Sequence, residues 1–203
     1  IAYRINDGSI IDLFGGKDDI VTKRIQAVGE PEKRFSEDAL RMLRAVRLSA
    51  ELDFAIELNT MTAISMHAHL LKNISRERIR DEFLKMINSD RPLSALYISE
   101  RLGILTYMLP ELRDGIGCMQ NQAHSFDVFE HLLRTLQCAA DNKWSETLRL
   151  AALLHDIGKP ASRRWSEDKK DWTFSGHEVI GARMVTSICN DLRLPKQQTA
   201  DIE

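Results

Sequence analysis

A carboxylate and three arginines follow one another at every third position of the sequence. They are Asp38, Arg41, Arg44 and Arg47. Residues three apart on an α-helix lie on one side of it, so the spacing predicts a slanting row of charges along a helix edge. Arginine binds phosphates and base edges through paired hydrogen bonds, whereas lysine offers a point charge. The row therefore predicts contact with a nucleotide or a nucleic acid.

The Asp38/Arg41 pair matches the edge that cytosine and adenine share. On that edge an amino donor stands beside a ring-nitrogen acceptor, so a carboxylate accepts from the first and a guanidinium donates to the second. Guanine and uracil present a carbonyl and a ring N–H there, and burying such unmatched groups is costly. The pair is therefore a candidate selector of C and A.

A second candidate site combines histidines with an adjacent His-Asp. The apolar run Leu148–Leu154 predicts a helix that ends at this His-Asp, and the nearest candidate histidine lies 24 residues earlier. The candidate ligands are His131, His155, Asp156 and His177. Imidazole and carboxylate groups suit Mn²⁺, Fe²⁺, Ni²⁺, Co²⁺ or Zn²⁺, and a bound water of lowered pKa hydrolyses phosphate esters.

The elements that must position these residues are mostly helical. Apolar residues at a spacing near 3.6 predict a helix from Ser36 to Leu52, with Ser36 as its N-cap. At the start of the chain, 1–5 and 10–14 flank an Asp-Gly turn and predict a β-hairpin. Trp165 and Trp172 flank either a small hairpin or a solvated loop. Further helices are predicted over 57–71, from Ser75 onward, and over 91–102, 126–140, 145–155 and 176–192.

Composition limits the classes of protein that this chain can represent. The 203 residues are 43% hydrophobic and carry a formal net charge of −2, which excludes nucleic-acid binding by bulk positive charge. A local basic face is needed instead, and the sequence offers Lys23, Arg24, Lys33 and Arg34. No run approaches the roughly 18 apolar residues of a membrane span, so no membrane partner is expected. The three cysteines form no C-x-x-C, which predicts reduced thiols and a cytoplasmic protein.

The first candidate site resembles a known family. The stretch 29–47, GEPEKRFSEDALRMLRAVR, resembles the region of the E-D-x-x-R motif in bacterial tRNA nucleotidyltransferases, which are the CCA-adding enzymes and their poly(A) polymerase relatives. Upstream, DLFGGKDDI at 12–20 resembles the family's D-x-x-G-G segment. Downstream, RIRDEFLK at 78–85 resembles its R-x-x-x-E-x-x-K motif. The motifs stand in the family's order.

This resemblance implies roles for individual residues. Asp38 and Arg41 would select the base, Glu37 would orient the arginine, and Arg44 would lie near the triphosphate. The flexible hinge of the family corresponds to Asp12, Gly15 and Gly16. Arg78 and Glu82 are expected to form an (i, i+4) ion pair that supports the Ser36 helix. The implied partners are CTP, ATP and the tRNA acceptor arm.

The catalytic carboxylates of that family have no counterpart in these residues. The family's chemistry uses a G-G-x-x-R segment and a D-x-D pair that holds Mg²⁺, and neither motif occurs in the 203 residues. We therefore expect that the chain is a piece of a longer protein, with the Mg²⁺ ligands upstream of Ile1. Alone, such a piece would select a nucleotide without transferring it.

The second candidate site resembles the HD phosphohydrolase superfamily through EHLLRTL, AALLHDIGK and GHEVIGARM. The superfamily implies one further aspartate ligand, for which Asp191, Asp201 or a position beyond Glu203 are candidates. His124 is interpreted as merely polar.

Together these observations predict a mainly α fold with a helical neck, a helical HD-type body and a short N-terminal β-hairpin left over from a palm domain. The expected divisions are 1–28 for the palm remnant and hinge, 29–110 for the neck and 111–203 for the body. The leading interpretation is part of a CCA-adding tRNA nucleotidyltransferase. The alternatives are a poly(A) polymerase, a metal-dependent HD phosphohydrolase and a non-catalytic RNA-binding module. Full or partial CCA addition and the oligomeric state stay open.

Overall fold

A computed structural model describes residues 2–121 and 125–203, so His124 and Ile1 lie outside the described residues. The fold is mainly α-helical, as the sequence predicts. Twelve α-helices occur in the described ranges: α1 Gly16–Val21, α2 Pro31–Glu37, α3 Leu40–Leu52, α4 Leu58–His67, α5 Arg76–Asn88, α6 Pro92–Arg101, α7 Leu105–Met108, α8 Val128–Asp141, α9 Glu146–Leu154, α10 Lys159–Ser162, α11 His177–Asp191 and α12 Lys196–Ile202. Two 3-10 helices span Ala68–Asn73 and Pro110–Gly115.

Three small two-stranded sheets accompany these helices. Their strands are β1 Ala2–Tyr3, β2 Ile10–Ile11, β3 Arg24–Ile25, β4 Ala55–Ile56, β5 Arg164–Ser166 and β6 Asp171–Thr173. β1 and β2 pair antiparallel, which confirms the predicted N-terminal hairpin. β5 and β6 also form a hairpin, in which Trp165 lies opposite Trp172. The parallel pair of β3 and β4 was not predicted.

The predicted continuous helix from Ser36 to Leu52 is wrong. Ser36 lies inside α2, and the chain bends at Asp38, whose backbone is extended at φ −152° and ψ 102°. The carboxylate of Asp38 accepts a hydrogen bond from the backbone N–H of Leu40 at 3.1 Å, which satisfies a donor at the start of α3. The apolar period alone predicts that one helix continues through Asp38. The hydrogen bond from Leu40 to Asp38 instead allows a new helix, α3, to begin there.

One buried hydrophobic cluster runs through the described part of the chain, from Phe35 near its start to Ile202 at its end. α3 contributes an apolar stripe that packs against α5 and α6. α8 packs against α6 and α9, so residues on both sides of the predicted boundary at 110 share this core. Within 2–121 and 125–203, no helix is long and apolar enough to cross a membrane.

Arg149 is a buried arginine that ties three helices together. Its guanidinium donates to the carbonyls of Ile87 and Ser89 at the end of α5, each at 2.9 Å. It also donates to the carbonyls of Trp144 at 3.0 Å and Ala140 at 3.4 Å, around the end of α8. These carbonyls lie in or just after the last turns of α5 and α8, where the usual i+4 donor within the helix is missing. One side chain of α9 thus satisfies two helix ends.

We predict that Arg149→Met lowers the free energy of unfolding by about 3 kcal/mol, because it removes these charged donors and leaves buried carbonyls unpaired. Urea unfolding followed by circular dichroism measures the change. The control is Arg183→Met on exposed α11 surface, which we expect to change stability by less than about 0.5 kcal/mol. Equal stabilities for the two variants would contradict the role of Arg149.

Candidate functional site

The acid and the guanidinium predicted to read a base lie at the corner between α2 and α3. Arg41 lies in the first turn of α3, whereas Asp38 lies in the bend before it, so the prediction that Asp38 shares a row on one continuous helix is wrong. Arg41, Arg44 and Arg47 do lie on α3. The Asp38 and Arg41 side chains are 25% and 33% exposed, so both groups reach the surface.

Arg41 is held by groups of α2. Its Nη1 lies 2.7 Å from the carboxylate of Glu37 and 3.1 Å from the carbonyl oxygen of Arg34. The same carboxylate oxygen accepts from Arg34 Nη1 at 2.6 Å. The hydrogen bond from Arg41, joined by the charge of Arg34, keeps the pKa of Glu37 below its ordinary value. Glu37 therefore stays ionised and restrains the guanidinium of Arg41, which is the contact that an orienting role needs.

Asp38 is held by a residue of α5, whereas Arg41 is held by residues of α2. Its Oδ2 accepts from Arg78 Nη2 on α5 at 2.8 Å, while Oδ1 accepts from the backbone of Leu40. Burial works to raise the pKa of Asp38, but the hydrogen bonds from Arg78 and Leu40 outweigh it and the pKa is lowered. A cavity of about 410 Å³ opens beside this carboxylate and is also lined by Glu37 and Arg78. The carboxylate is thus fixed, ionised and next to open space.

Glu82 is a carboxylate that is only 2% exposed and that binds α3 to α5. Its oxygens accept from Arg47 Nε at 2.9 Å, Lys85 Nζ at 3.2 Å and Arg44 Nε at 3.3 Å. The expected (i, i+4) pair of Arg78 with Glu82 is therefore wrong, because Arg78 bonds Asp38 and Glu82 bonds the cations just named. From α5, Arg78 reaches the bend before α3, and Glu82 reaches the middle of α3.

The side chain of Arg44 is half exposed, at 51%, although its Nε bonds Glu82. The rest of its guanidinium is thus open to solvent. Arg44 can therefore bind an anion that lies next to α3. The proximity of Arg44 to a triphosphate stays a prediction.

The residues of the predicted hinge form a capped turn. The carboxylate of Asp12 accepts from the backbone N–H groups of Lys17 at 2.8 Å and Gly16 at 2.9 Å, at the start of α1. These two bonds lower the pKa of Asp12. Gly15 has φ +73°, in the left-handed region that glycine adopts without strain. A single carboxylate thus holds the turn, and its hinge motion stays a prediction.

The four basic residues predicted to contact RNA lie on or next to the surface, and three of them have acidic neighbours. Arg24 pairs with Asp19 at 2.8 Å, Lys33 with Glu30 at 2.8 Å, and Arg34 with Glu37 at 2.6 Å. Lys23 is exposed. Surface pairs of this kind are weak and exchange readily with phosphate oxygens. RNA contact by these residues stays a prediction.

The second candidate site brings its predicted residues together. His131 on α8, His155 after the end of α9 and the adjacent Asp156 present three ligand atoms within 4.8 Å of one another. The Nε2 atoms of the two histidines are 3.0 Å apart, and they lie 3.2 and 3.1 Å from Asp156 Oδ2. His177 Nε2, at the start of α11, lies 3.4 Å from the other carboxylate oxygen. Three of the predicted ligands, all histidines, therefore surround the carboxylate of the fourth, Asp156.

Backbone carbonyls orient two of the histidine rings. His155 Nδ1 lies 2.9 Å from the carbonyl of Ala152, and His177 Nδ1 lies 2.8 Å from the carbonyl of Phe174. A carbonyl on Nδ1 leaves Nε2 as the atom that faces the cluster. Burial opposes protonation of His155, yet the hydrogen bond that it donates to Asp156 raises the pKa of His155 overall.

Lys159 is a residue of this site that the sequence reasoning missed. Its Nζ lies 2.7 Å from Asp156 Oδ2 and 2.7 Å from Gln120 Oε1, and the residue is buried. Burial raises the pKa of Asp156, but hydrogen bonds from His155 and Lys159 outweigh it, so the pKa lies well below its ordinary value. The sequence signal for this residue was a lysine three positions after Asp156.

The two aspartates considered as further ligands lie elsewhere. Asp191 is at the last residue of α11, some 14 residues and therefore about 21 Å along the helix from His177, and it pairs with Arg76. Asp201 accepts from Gln197 within α12. Neither aspartate belongs to the group of potential metal ligands found among the described residues.

The donor set fits a divalent transition metal. Imidazole nitrogens and a carboxylate oxygen are the ligands that such ions accept. Two ligand atoms that each lie about 2.1 Å from one ion, at right angles to each other, are roughly 3 Å apart. The separations of 3.0, 3.1 and 3.2 Å within the cluster match this value. Residues His131, His155 and Asp156 can therefore bind a single ion, with His177 next to them.

Comparison with known protein families gives two matches along the chain. Residues 53–116 match the family described as "Probable RNA and SrmB- binding site of polymerase A". Residues 128–202 match the family described as "HD domain". The second range contains His131, His155, Asp156 and His177.

Curated relatives match almost the whole chain. It is 34% identical over 208 residues to the CC-adding tRNA nucleotidyltransferase of Thermus thermophilus, covering 96% of this chain and 47% of the relative. It is 35% identical over 193 residues to the A-adding tRNA nucleotidyltransferase of Deinococcus radiodurans, covering 92% of this chain and 44% of the relative. The chain thus spans about half the length of these curated relatives.

Among solved structures, the CCA-adding enzyme of Bacillus stearothermophilus in complex with CTP has a similar fold. The TM-score is 0.67 and the sequence identity is 28%, over 95% of this chain and 40% of that one. The structural similarity thus spans nearly all of the chain.

A close contact between two glycines positions His177. A Cβ atom on Gly158 would lie 2.3 Å from the carbonyl oxygen of His177 and 2.6 Å from the amide nitrogen of Gly181. Real Cβ atoms essentially never come so close to backbone, so α11 reaches its place only because Gly158 has no side chain. This contact sets the start of α11 against the segment that follows Asp156.

We predict that Gly158→Ala lowers the free energy of unfolding by about 1–3 kcal/mol, because the added methyl forces α11 away from the histidine cluster. Gly181→Ala is the matched control, since its Cβ would meet atoms only at 3.6–4.0 Å, an ordinary contact distance. Urea unfolding measures both variants. A Gly158→Ala protein as stable as Gly181→Ala would contradict the close contact.

Proposed function

Since the chain belongs to the family of bacterial tRNA nucleotidyltransferases and their poly(A) polymerase relatives, we propose that it is the part of a CCA-adding enzyme that selects the nucleotide and binds tRNA. The observation that supports this proposal is the arrangement of Asp38 and Arg41. Each is ionised, partly exposed and restrained by an oppositely charged neighbour, Arg78 or Glu37. Such a pair can offer an acceptor and a donor at fixed positions.

Selection follows from hydrogen-bond matching. Asp38 accepts from the exocyclic amino group of C or A, and Arg41 donates to the adjacent ring nitrogen. Glu37 restrains Arg41, and Arg78 restrains Asp38, so the pair needs little reorganisation when a base arrives. Arg44 lies further along α3 with an exposed guanidinium and serves the triphosphate. CTP and ATP are the proposed nucleotides, and the tRNA acceptor arm is the proposed nucleic acid.

The transfer step belongs to residues outside this chain. Mg²⁺ ions are proposed to bind mainly to carboxylates upstream of Ile1. These carboxylates would belong to a palm domain whose C-terminal part is 1–28. Residues 29–110 are proposed as the neck and 111–203 as the HD-type body. Asp12, Gly15 and Gly16 are the proposed hinge, with Lys23, Arg24, Lys33 and Arg34 on the RNA side. The enzyme is proposed to be cytoplasmic.

The HD-type cluster is proposed to hold a transition metal such as Mn, Ni, Co, Fe or Zn. His131, His155 and Asp156 would be its ligands, joined by His177 at the other carboxylate oxygen. A divalent ion bound there would supply a water of lowered pKa for hydrolysis of phosphate esters. Lys159 holds the carboxylate in place through Oδ2.

We predict that Arg41→Ala in the full-length enzyme lowers the preference for CTP and ATP over GTP and UTP by about 10- to 100-fold, which is the loss of one charged hydrogen bond. Single-turnover addition to a tRNA that lacks its 3′ end, with each nucleotide in turn, measures kcat/KM for all four.

The matched control is Arg34→Ala, which removes the other arginine on Glu37 while leaving Arg41 in place. We expect weaker tRNA binding and an unchanged choice of nucleotide. Unaltered discrimination in Arg41→Ala would refute the base-reading role.

A double variant, His155→Ala with Asp156→Ala, is predicted to lose a bound transition metal while keeping nucleotide addition. Metal content after loading with Mn²⁺, Ni²⁺ or Co²⁺ and desalting is measured by mass spectrometry. His67→Ala on α4 is the control, because His67 bonds a backbone carbonyl outside the cluster. A wild-type enzyme that retains no metal, or a double variant that retains it, would contradict the assignment.

A further inference from the structure

A large concave site among the described residues is away from both candidate sites. Its volume is about 790 Å³, and it lies among the end of α3, β4, α4 and α6. Apolar side chains of Ile56, Met61, Met66, Ile98 and Leu102 line it. Cavities of roughly 300–1,000 Å³ with apolar walls and a few polar groups are typical small-ligand sites. The size and walls therefore suit a single compact ligand group.

Polar groups at this cavity are available to a ligand. Thr62, Ser65 and Ser94 line it, and their hydroxyls make no hydrogen bond with other described residues. By contrast, the hydroxyl of Ser99 on α6 donates to the carbonyl of Ala95 at 2.8 Å. The three lining hydroxyls can thus donate to or accept from a bound group without breaking a bond inside the protein.

The cavity also has one cation at its edge. Arg101, the last residue of α6, lines it, is exposed and forms no ion pair with any residue in 2–121 or 125–203. The neighbouring Glu100 forms an ion pair with Arg113 at 2.8 Å. Asp53, which also lines the cavity, pairs with Arg91. Arg101 therefore offers a guanidinium fork to an anionic group outside the apolar walls.

We propose that this cavity binds one unpaired nucleotide of the RNA substrate, with its base between the apolar walls and its phosphate on Arg101. Methionine sulfur makes favourable contacts with aromatic rings, and Met61 and Met66 both line the cavity. The free hydroxyls suit base edges or a ribose 2′-hydroxyl, and proteins that recognise RNA specifically do so mostly through unstacked bases. The inference rests on the proposed function, because it takes tRNA as the RNA.

The cavity is separate from the base-selecting corner. Ala50, which lines it, is nine residues beyond Arg41, or about 14 Å along α3. The residues from Asp53 to Leu102 that line it fall within the family match described as a probable RNA-binding site. An RNA nucleotide rather than the incoming triphosphate is therefore the occupant that position and chemistry favour.

The test measures tRNA affinity of the full-length enzyme by fluorescence anisotropy. Ser65→Trp fills the cavity from an exposed helix position and is expected to weaken tRNA binding at least about fivefold, the lower limit for loss of one bound base. Arg101→Gln is expected to weaken binding and to reduce the slope of log K against log salt by about one. Both variants keep the wild-type preference for CTP and ATP.

Matched controls lie on α11. Ser187→Trp and Arg183→Gln change an exposed hydroxyl and an exposed arginine away from the cavity, and both are expected to bind tRNA like the wild type. Thermal unfolding of each variant verifies that the fold is kept. If the wild type itself fails to bind tRNA, the proposed function fails. If it binds tRNA and both cavity variants bind equally well, the cavity proposal alone is overturned.

A second experiment distinguishes an RNA nucleotide from a free nucleotide as the occupant of the cavity. Thermal unfolding is repeated with 5′-AMP and 5′-CMP at millimolar concentration. A stabilisation of the wild type that Ser65→Trp abolishes, together with unchanged tRNA affinity in that variant, would assign the cavity to free nucleotides and overturn the proposal. No stabilisation by the monophosphates, with weakened tRNA binding in both cavity variants, would support it.

Discussion

The buried carboxylate of Glu82 is the constraint on which the α2–α3 corner depends. A carboxylate that is 2% exposed is tolerated only when cations and hydrogen bonds compensate for its lost hydration. Arg44 and Arg47 supply two of these cations from α3, so the rotation of α3 about its axis is determined by Glu82. Burial works to raise the pKa of Glu82, but hydrogen bonds from Lys85 and Arg47 lower it overall, and the group stays ionised. One turn earlier on α5, Arg78 then meets Asp38.

Helix existence was predictable from sequence where an apolar stripe and capping residues agree. Phe126–Ala140 and Gly176–Leu192 differ from α8 and α11 by only one or two residues at each end. At Asp38 the two signals conflict: the apolar period continues, but the carboxylate caps Leu40 and starts a new helix. β3 and β4 are strands of two residues each, and some thirty residues separate them in the sequence. Two residues are too few to show an alternating pattern, so no sequence signal marks this pair.

The candidate sites were predictable to the extent that their chemistry is local. The four candidate metal ligands were predicted from histidines on helices and an adjacent His-Asp pair, and the fold brings them together. Partners that lie far along the chain were missed. The (i, i+4) pair predicted for Arg78 and Glu82 is of a kind that gains only a few tenths of a kcal/mol on a helix surface. The buried carboxylate of Glu82 needs more compensation than this, so it bonds Arg44 and Arg47 of α3. Arg78 instead bonds Asp38 in the bend before α3. Lys159 was missed because its place depends on how the short helix α10 follows Asp156.

Helix α5 connects the two candidate sites. Near its start, Arg78 holds Asp38; at its end, the carbonyls of Ile87 and Ser89 accept from Arg149 of α9. α9 leads directly to His155, so the helix that carries this arginine also delivers the first ligand of the His-Asp pair. Each attachment joins a charged side chain to a polar group on another element, which makes the geometry specific where apolar packing alone permits sliding. The two sites thus share one frame.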